Sequence, residues 1–341
     1  MGKNIVRNHA YRVVPRYITD YLNVSFSHCY LQARALLLET LQVYAVLLRI
    51  MVPALIIVKV LQELGALDLM GLALGPAMAM AGLPAVLGIV WATTLLTNMF
   101  TGIIVFYDIA AGLSLSVEQV TVLGTMMLVA HSIPIEGAVA RRAGVPWWVT
   151  IALRVGGALL LGIGLHLIYS HFQLLQEPLV QVWQPTVSDG SLLSWVLGQV
   201  QALAMVFLVI LLLMLLLKVL RFVGLERLIH IALTPLLRLF GLGRSAANVT
   251  VIGVALGLTY GAGLLIRDLD EGVLSRRDAY ISLCFLGLLH SLIEDTLLIM
   301  ALGANLSGIL WARLIFGVVV IAILARFMPS RGLDVVGSAA A

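Results

Sequence analysis

The sequence predicts an all-α polytopic membrane protein built from two inverted repeats of about five helical segments each, which makes roughly 8–10 membrane segments. Three observations support this fold class. The composition is far too apolar for a soluble chain, long apolar runs lack any alternation, and the second half repeats the first at a fixed offset.

The composition requires contact with lipid. Of the 341 residues, 61% are apolar and 11% are charged, whereas a soluble domain carries about a quarter charged residues. A bilayer offers no hydrogen bonds to the backbone, so spanning segments must be helices or closed barrels. Barrel strands alternate apolar and polar residues, whereas residues 208–217 read LVILLLMLLL. Helices are therefore predicted.

The charge pattern indicates topology and not nucleic-acid binding. The net charge is +4, and the basic residues lie in short clusters between apolar runs. Cys29 and Cys284 form no CxxC pair, so neither a zinc ribbon nor a disulfide framework is expected. Residues 1–35 are basic and lack a continuous apolar core, which predicts an interfacial N-terminal segment and not a signal peptide.

An internal repeat divides the chain. When the sequence is shifted by 159 residues, rare intramembrane residues coincide: His131-Ser132 with His290-Ser291, Arg154 with Arg313, and Pro76 with Pro235. We predict a first repeat over 36–170, a linker over 171–194, a second repeat over 195–327 and a tail over 328–341. The predicted segments are 36–60, 67–81, 84–111, 118–138 and 147–170, then 195–218, 225–240, 246–267, 278–298 and 306–327.

The loop charges predict that the repeats are inverted. Residues 112–117 contain no Lys or Arg, whereas their counterpart contains Arg276 and Arg277. Conversely, Arg141 and Arg142 have a neutral counterpart around residues 300–305. The positive-inside rule then places equivalent loops on opposite faces. A bacterial inner membrane is expected, with both termini cytoplasmic and the linker periplasmic.

The fourth segments carry the candidate binding site. Pro134 removes a helical hydrogen bond, so the first helix should break near His131. Ionisable residues inside a membrane are costly and mark functional sites, and inverted repeats place such sites near the midplane. The candidates that these two segments share are His131, Ser132, Glu136, His290, Ser291, Glu294 and Asp295.

Three interpretations of this cluster remain open. The histidines and carboxylates satisfy one another as struts between helices, or a His beside a carboxylate carries a coupling proton. Alternatively, His131, Glu136, His290 and Asp295 ligate a divalent metal. The spacing matches no specific metal motif such as HExxH.

Two further features join the candidate site. Thr97 and Asn98 belong with Thr94 and Thr101 to one predicted polar stripe, which either lines a path or holds helices together. Arg154 and Arg313 lie roughly 10–12 Å below the interface at about 1.5 Å per residue. Each therefore needs a carboxylate, backbone carbonyls or an anionic substrate.

The motifs HSIPIE and HSLIED, together with TTLLTNMFTG, carry a family resemblance. The chain resembles the nucleoside-recognition (Gate) domain family of bacterial integral membrane proteins. Related units occur in spore-maturation membrane proteins and in the membrane part of ferrous-iron transporters. The resemblance covers roughly residues 45–327 and implies a permease fold without fixing a substrate. The GTPase domain of the iron transporters has no counterpart in this sequence.

Together these observations predict a transporter and not an enzyme. We expect a proton- or ion-coupled secondary transporter of a small polar or anionic solute, with a divalent-metal permease as the alternative. A non-transporting structural or regulatory subunit is the second alternative. The expected partners are the lipid bilayer and a small solute or ion, a homodimer is left open, and no nucleic acid is expected. No cofactor is expected beyond a coupling proton or cation.

Overall fold

The structure is a computed structural model that describes residues 16–110, 112–180, 191–256 and 258–328. Regular structure in these residues is helical. The first half contains α1 (Arg16–Glu63), α2 (Ala66–Met80), α3 (Leu87–Leu96), α4 (Met99–Ala110), α5 (Val117–Val129), α6 (Ile133–Arg142), α7 (Trp147–Ile151), a π-helical turn (Ala152–Gly156) and α8 (Gly157–His171). The second half contains α9 (Leu192–Phe222), α10 (Leu225–Leu239), α11 (Arg244–Leu256), α12 (Leu258–Asp270), α13 (Arg276–Leu289), α14 (Glu294–Met300), a second π-helical turn (Ser307–Ala312) and α15 (Arg313–Phe327).

The protein is an all-α polytopic membrane protein, as the sequence predicts. Within the described ranges, 6 helical stretches are long and apolar enough to cross a membrane. They are Leu31–Glu63, Val117–Arg142, Trp147–His171, Leu192–Leu220, Arg276–Met300 and Ser307–Phe327. The three spans of the second half follow the three spans of the first in the same order.

The backbone follows the same path twice. Both ends of α2 and α10 differ by the repeat offset, and the serine caps Ser116 and Ser275 begin α5 and α13. Left-handed backbone conformations recur at the same offset in four pairs: Gly65 and Gly224, Gly82 and Gly241, Ser132 and Ser291, Gly144 and Gly303. Because these conformations mark the turns between helices, the two halves turn at equivalent residues.

Equivalent residues of the two halves contact each other. The Tyr44 hydroxyl on α1 donates a hydrogen bond to the carbonyl of Leu203 on α9 at 2.9 Å, and these residues are 159 apart. Under two-fold symmetry a residue meets its own equivalent only near the axis. Helices α1 and α9 therefore flank an approximate two-fold axis.

One predicted helix boundary needs correction. Helix α1 begins at Arg16 and not near residue 36, because residues 16–52 contain neither Gly nor Pro to interrupt it. Residues 1–15, 181–190 and 329–341 lie outside the described residues, and with them part of the predicted N-terminal segment, linker and tail.

The third segments are also broken, so the predicted continuous polar stripe is wrong. Helix α3 ends at Leu96, and α4 begins at Met99. Asn98 Oδ1 accepts hydrogen bonds from the Thr101 backbone N at 2.9 Å and from its hydroxyl at 3.2 Å, which starts a new helix. In the second half the chain also turns back, because Gly253 of α11 packs against Gly261 of α12.

Close packing of α11 on α12 predicts a sharp difference between two glycines of α12. A Cβ at Gly261 would lie 2.5 Å from Gly253 Cα, whereas a Cβ at Gly263 would meet nothing within 4 Å. We expect Gly261→Ala to lower the free energy of unfolding by about 1–3 kcal/mol through overpacking. Gly263→Ala is the matched control and should melt at or above the wild-type temperature. Thermal denaturation in detergent measures both, and equal melting temperatures would contradict this packing.

Candidate cation site at the helix breaks

Both fourth segments break at the same position. Helix α5 ends at Val129 and α13 at Leu289, and the following Ser132 and Ser291 have φ of 49° and 47°. A left-handed conformation costs a non-glycine residue roughly 1–2 kcal/mol. The surrounding structure must hold these two serines in place. Pro134 accompanies the first break only, so the second forms without a proline.

Main-chain hydrogen bonds join the broken fourth segments to the broken third segments. Ser132 N donates to the Thr94 carbonyl at 3.1 Å, and Leu292 N donates to the Val254 carbonyl at 3.2 Å. These bonds satisfy backbone groups that a broken helix releases, and unsatisfied backbone groups are very costly at membrane depth. Within each half, the break in the fourth segment is therefore hydrogen-bonded to the third segment.

His131 and His290 meet at the centre of the molecule. Their Nε2 atoms lie 2.9 Å apart, and both residues are buried. His131 Nδ1 lies 3.1 Å from the Met127 carbonyl, and His290 Nδ1 lies 2.7 Å from the Leu286 carbonyl.

These contacts determine which ring nitrogens carry hydrogen. A carbonyl oxygen only accepts hydrogen bonds, so each Nδ1 must be the donor. In a neutral imidazole the other nitrogen then presents a lone pair. Two lone pairs would face each other at 2.9 Å. A positively charged particle between them turns this repulsion into attraction.

Glu136 supplies a third acceptor. Its Oε1 lies 3.4 Å from His131 Nε2 and 3.4 Å from His290 Nε2. The ligand atoms of these three residues all lie within 4.8 Å of one another. Asp295 lies at the edge of the cluster, with Oδ2 3.9 Å from His131 Nε2. The arrangement has the ligand types and spacing that could hold a cation.

Two buried arginines support the helix breaks. Arg154 forms a hydrogen-bonded ion pair with Glu136 and donates from Nε to the Val129 carbonyl at 3.0 Å. Arg313 donates to the carbonyls of Leu288 at 3.0 Å and His290 at 2.9 Å. The last carbonyls of a helix lack partners inside the helix. The two guanidinium groups satisfy carbonyls at the ends of α5 and α13.

The two halves differ at the carboxylate. Asp295 is equivalent to Glu136 but is shorter by one methylene, and the structure records no ion pair between Asp295 and Arg313 among the described residues. Within the same residues, Arg154 Nη2, Arg313 Nη1 and Asp295 Oδ2 are buried and have no hydrogen-bond partner. Two guanidinium donors therefore remain available at the site.

The other predicted site residues take different positions. Ser132 and Ser291 form the breaks, and Glu294 is the first residue of α14. The Thr97 hydroxyl, just after the end of α3, donates to the Thr93 carbonyl of that helix at 2.6 Å. The hydrogen bonds recorded for Thr97 and Asn98 in the described residues do not reach the histidine pair.

Sequence reasoning missed a second polar cluster. Glu118 Oε1 lies 2.8 Å from His166 Nδ1, and Glu118 Oε2 accepts from Gln176 Nε2 at 2.7 Å. These residues line a polar cavity of about 630 Å³ beneath the start of the linker. A signal was present, because Glu118 and His166 are ionisable residues within or beside apolar segments.

Comparisons with known proteins place the chain among membrane proteins. It is 27% identical to the uncharacterized membrane protein YvoD of Bacillus subtilis (strain 168) over 273 residues, which cover 78% of this chain and 85% of that protein. No family model matches the chain. No solved structure matches it either. The resemblance to the Gate family stays a prediction.

The Arg154–Glu136 pair should be strongly coupled. Removing one partner of a buried ion pair costs about 3–5 kcal/mol, because the other charge is left uncompensated. We expect Glu136→Gln and Arg154→Gln each to destabilise the protein by this amount, and the double variant to lose far less than their sum. Asp295→Asn is the matched control and should cost less, because Asp295 forms no recorded ion pair with an arginine. Unfolding in detergent measures all four variants, and additive losses would refute the coupling.

Proposed function

We propose that this protein is a bacterial inner-membrane permease that works as a cation-coupled secondary transporter of a small polar or anionic solute. His131, His290 and Glu136 hold the coupling cation. The observation that carries the proposal is the 2.9 Å contact between two Nε2 atoms whose rings both donate through Nδ1. This geometry calls for a positive charge between the rings.

A proton is the cation that fits best. The 2.9 Å separation equals a normal N–H hydrogen-bond length, so one ring donates and the other accepts. Histidine is also the side chain that exchanges protons most readily near neutral pH. Glu136 Oε1 stands at the same distance from both rings and stabilises the proton on either one.

The arginines support an anionic or strongly polar solute. Arg154 Nη2 and Arg313 Nη1 are buried donors without partners in the described structure. A planar guanidinium suits carboxylate and phosphate groups. A cation on the histidines and an anionic group near the arginines would neutralise each other, which couples their binding.

The proposed orientation follows from loop charge. Arg141 and Arg142 end α6, whereas residues 300–305 of the second half are neutral. The positive-inside rule then places the Arg141 loop in the cytoplasm and the residue 300–305 loop outside. The two halves are inverted in this arrangement, with the cation site between them.

Proteoliposome transport tests the proposal. Purified protein is reconstituted with pyranine inside, and uridine, succinate and inorganic phosphate are supplied outside. We expect one of these solute classes to drive proton movement in the wild type. In His131→Ala and His290→Ala the signal should fall to that of protein-free liposomes, because each variant removes one of the facing acceptors.

His171→Ala is the matched control, since His171 lies exposed at the end of α8. Transport that is unchanged in both central histidine variants would reject the site. If the wild type moves none of these solutes, and if Glu136→Gln and Asp295→Asn cells behave normally although deletion causes a defect, a structural or regulatory role is favoured.

A divalent-metal permease is the second candidate, and the spacing between Glu136 Oε1 and the two histidine Nε2 atoms supports it. A tetrahedral zinc site with bonds of about 2.0–2.1 Å separates its ligand atoms by roughly 3.3–3.4 Å. Glu136 Oε1 lies 3.4 Å from each Nε2 atom. The Nε2 atoms are 2.9 Å apart and would have to separate slightly to admit such an ion.

Metal content distinguishes the two candidates. If a metal is the cargo, protein incubated with Zn²⁺ or Mn²⁺ and then desalted should retain about one ion per chain. His290→Ala should lose this ion, whereas His171→Ala should keep it. Stoichiometric metal lost only in His290→Ala would replace the proton in the proposal, and no retained metal in the wild type would exclude this candidate.

A further inference from the structure

A small cavity lies beside the candidate site, on the side of the loop between α6 and α7. Its walls include Glu136 and Arg154 at the site, Thr150 and Cys284 midway, and Val145 in the loop between α6 and α7. The volume is about 20 Å³, which is room for one water molecule. The Thr150 hydroxyl is buried there without a hydrogen-bond partner in the described structure.

The equivalent space in the other half is filled. Ala140 and Thr150 of the cavity wall correspond to Ile299 and Ile309. These isoleucines pack on Gly124, where an added Cβ would lie 2.4 Å from Ile299 Cγ2 and 3.7 Å from Ile309 Cγ2. On the cavity side, Leu283 takes the place of Gly124, and the smaller Ala140 and Thr150 take the place of the two isoleucines.

Hydrogen bonds between the halves close the same side. Asn305 N donates to the Thr121 hydroxyl at 2.8 Å, and the hydroxyls of Tyr169 and Ser307 lie 2.8 Å apart. The residue equivalent to Asn305 is Pro146, which has no N–H to donate. Met328 and Trp148 replace the second pair of hydroxyls. The cavity side cannot form either bond.

We propose that the central cation site exchanges with one face only in this conformation, through the cavity lined by Thr150, Arg154 and Cys284. The other face is sealed by the contacts of Thr121 and Tyr169 with the second half. The open face is the one that carries Arg141 and Arg142. This proposal rests on the proposed function for the identity of the site, and it goes further by assigning the entry route and the seal.

The width of the route limits what passes along it. A space for one water molecule admits water, a proton or a dehydrated monovalent cation, and it excludes a hydrated divalent ion or an organic solute. The route therefore serves the coupling cation. The organic solute must reach the arginines after a larger rearrangement.

Cys284 lies in the wall of the route and provides a natural probe, and Ag⁺ is a thiol-reactive cation of suitable size. In a Cys29→Ser chain, Ag⁺ is applied in chloride-free buffer to right-side-out or inverted membrane vesicles. The remaining thiols are then labelled with a maleimide after denaturation. We expect Ag⁺ to protect Cys284 in inverted vesicles, where the cytoplasmic face is exposed, and not in right-side-out vesicles.

The matched control uses the equivalent position on the sealed side. Thr125 corresponds to Cys284, and Thr125→Cys is made in a chain that also carries Cys29→Ser and Cys284→Ala. It should react at least about tenfold more slowly than Cys284 from either face, because thiol reactivity follows access. Ser170→Cys in the same background, exposed near the linker, should react only in right-side-out vesicles.

One double variant transfers the sealing residues to the open side. Ala140→Ile with Thr150→Ile copies the residues of the sealed half and should abolish Ag⁺ protection of Cys284. A wild-type melting temperature would show that this variant is folded. A Cys284 thiol that reacts through the face of Ser170, or a Thr125→Cys thiol that reacts as fast as Cys284, would overturn the proposal.

The accessibility test and the transport test can give different results, so each proposal can be rejected without rejecting the other. Ag⁺ protection requires only the route, so it survives in His131→Ala even if the proposed transport is wrong. Transport that depends on both histidines, combined with equal access to Cys284 and Thr125→Cys, would retain the function and reject the route.

Discussion

Two histidine lone pairs directed at each other are the constraint on which this structure depends. Each ring is fixed by a carbonyl in the last turn of a broken helix, Met127 for His131 and Leu286 for His290. The Leu286 carbonyl also accepts from the His290 backbone N at 2.9 Å, so its second lone pair serves the ring. These carbonyl contacts determine the tautomers, and under the proposed function the two facing lone pairs hold a cation. Arg154 and Arg313 belong to the same arrangement, since each satisfies carbonyls that the breaks release.

The internal repeat explains why His131 contacts its own equivalent, His290. Near a two-fold axis every residue approaches its own equivalent, so a histidine near the axis meets a histidine. A single asymmetric site could pair a donor with an acceptor, whereas the duplicated one presents two acceptors, and the proposed cation lies between them. The third acceptor breaks the symmetry, because Glu136 reaches both rings and the shorter Asp295 stands at 3.9 Å from His131. One cation therefore suffices for the pair.

The sequence predicted the helical fold, and it placed the first break because Pro134 cannot continue a helix. The offset of 159 residues pointed to His290 as the partner segment, although no proline marks that break. The contact between the rings was beyond prediction, since it depends on carbonyls that only the folded helix ends present. The break at Thr97 and Asn98 was hidden by threonines with helical spacing. Glu118 and His166 were missed because they are 48 residues apart and only the fold joins them.

Divergence between the halves has a consequence for alternating access. Two identical inverted halves around a central site would give inward-open and outward-open conformations of equal energy, because each is the image of the other. Isoleucines facing Gly124 and the hydrogen bonds to Thr121 and Tyr169 favour closure of one side. Alanine, threonine and Pro146 leave the opposite side loose. If the protein is the proposed permease, the substitutions that distinguish the halves set its resting direction, and the residues that the halves share set the chemistry of the site.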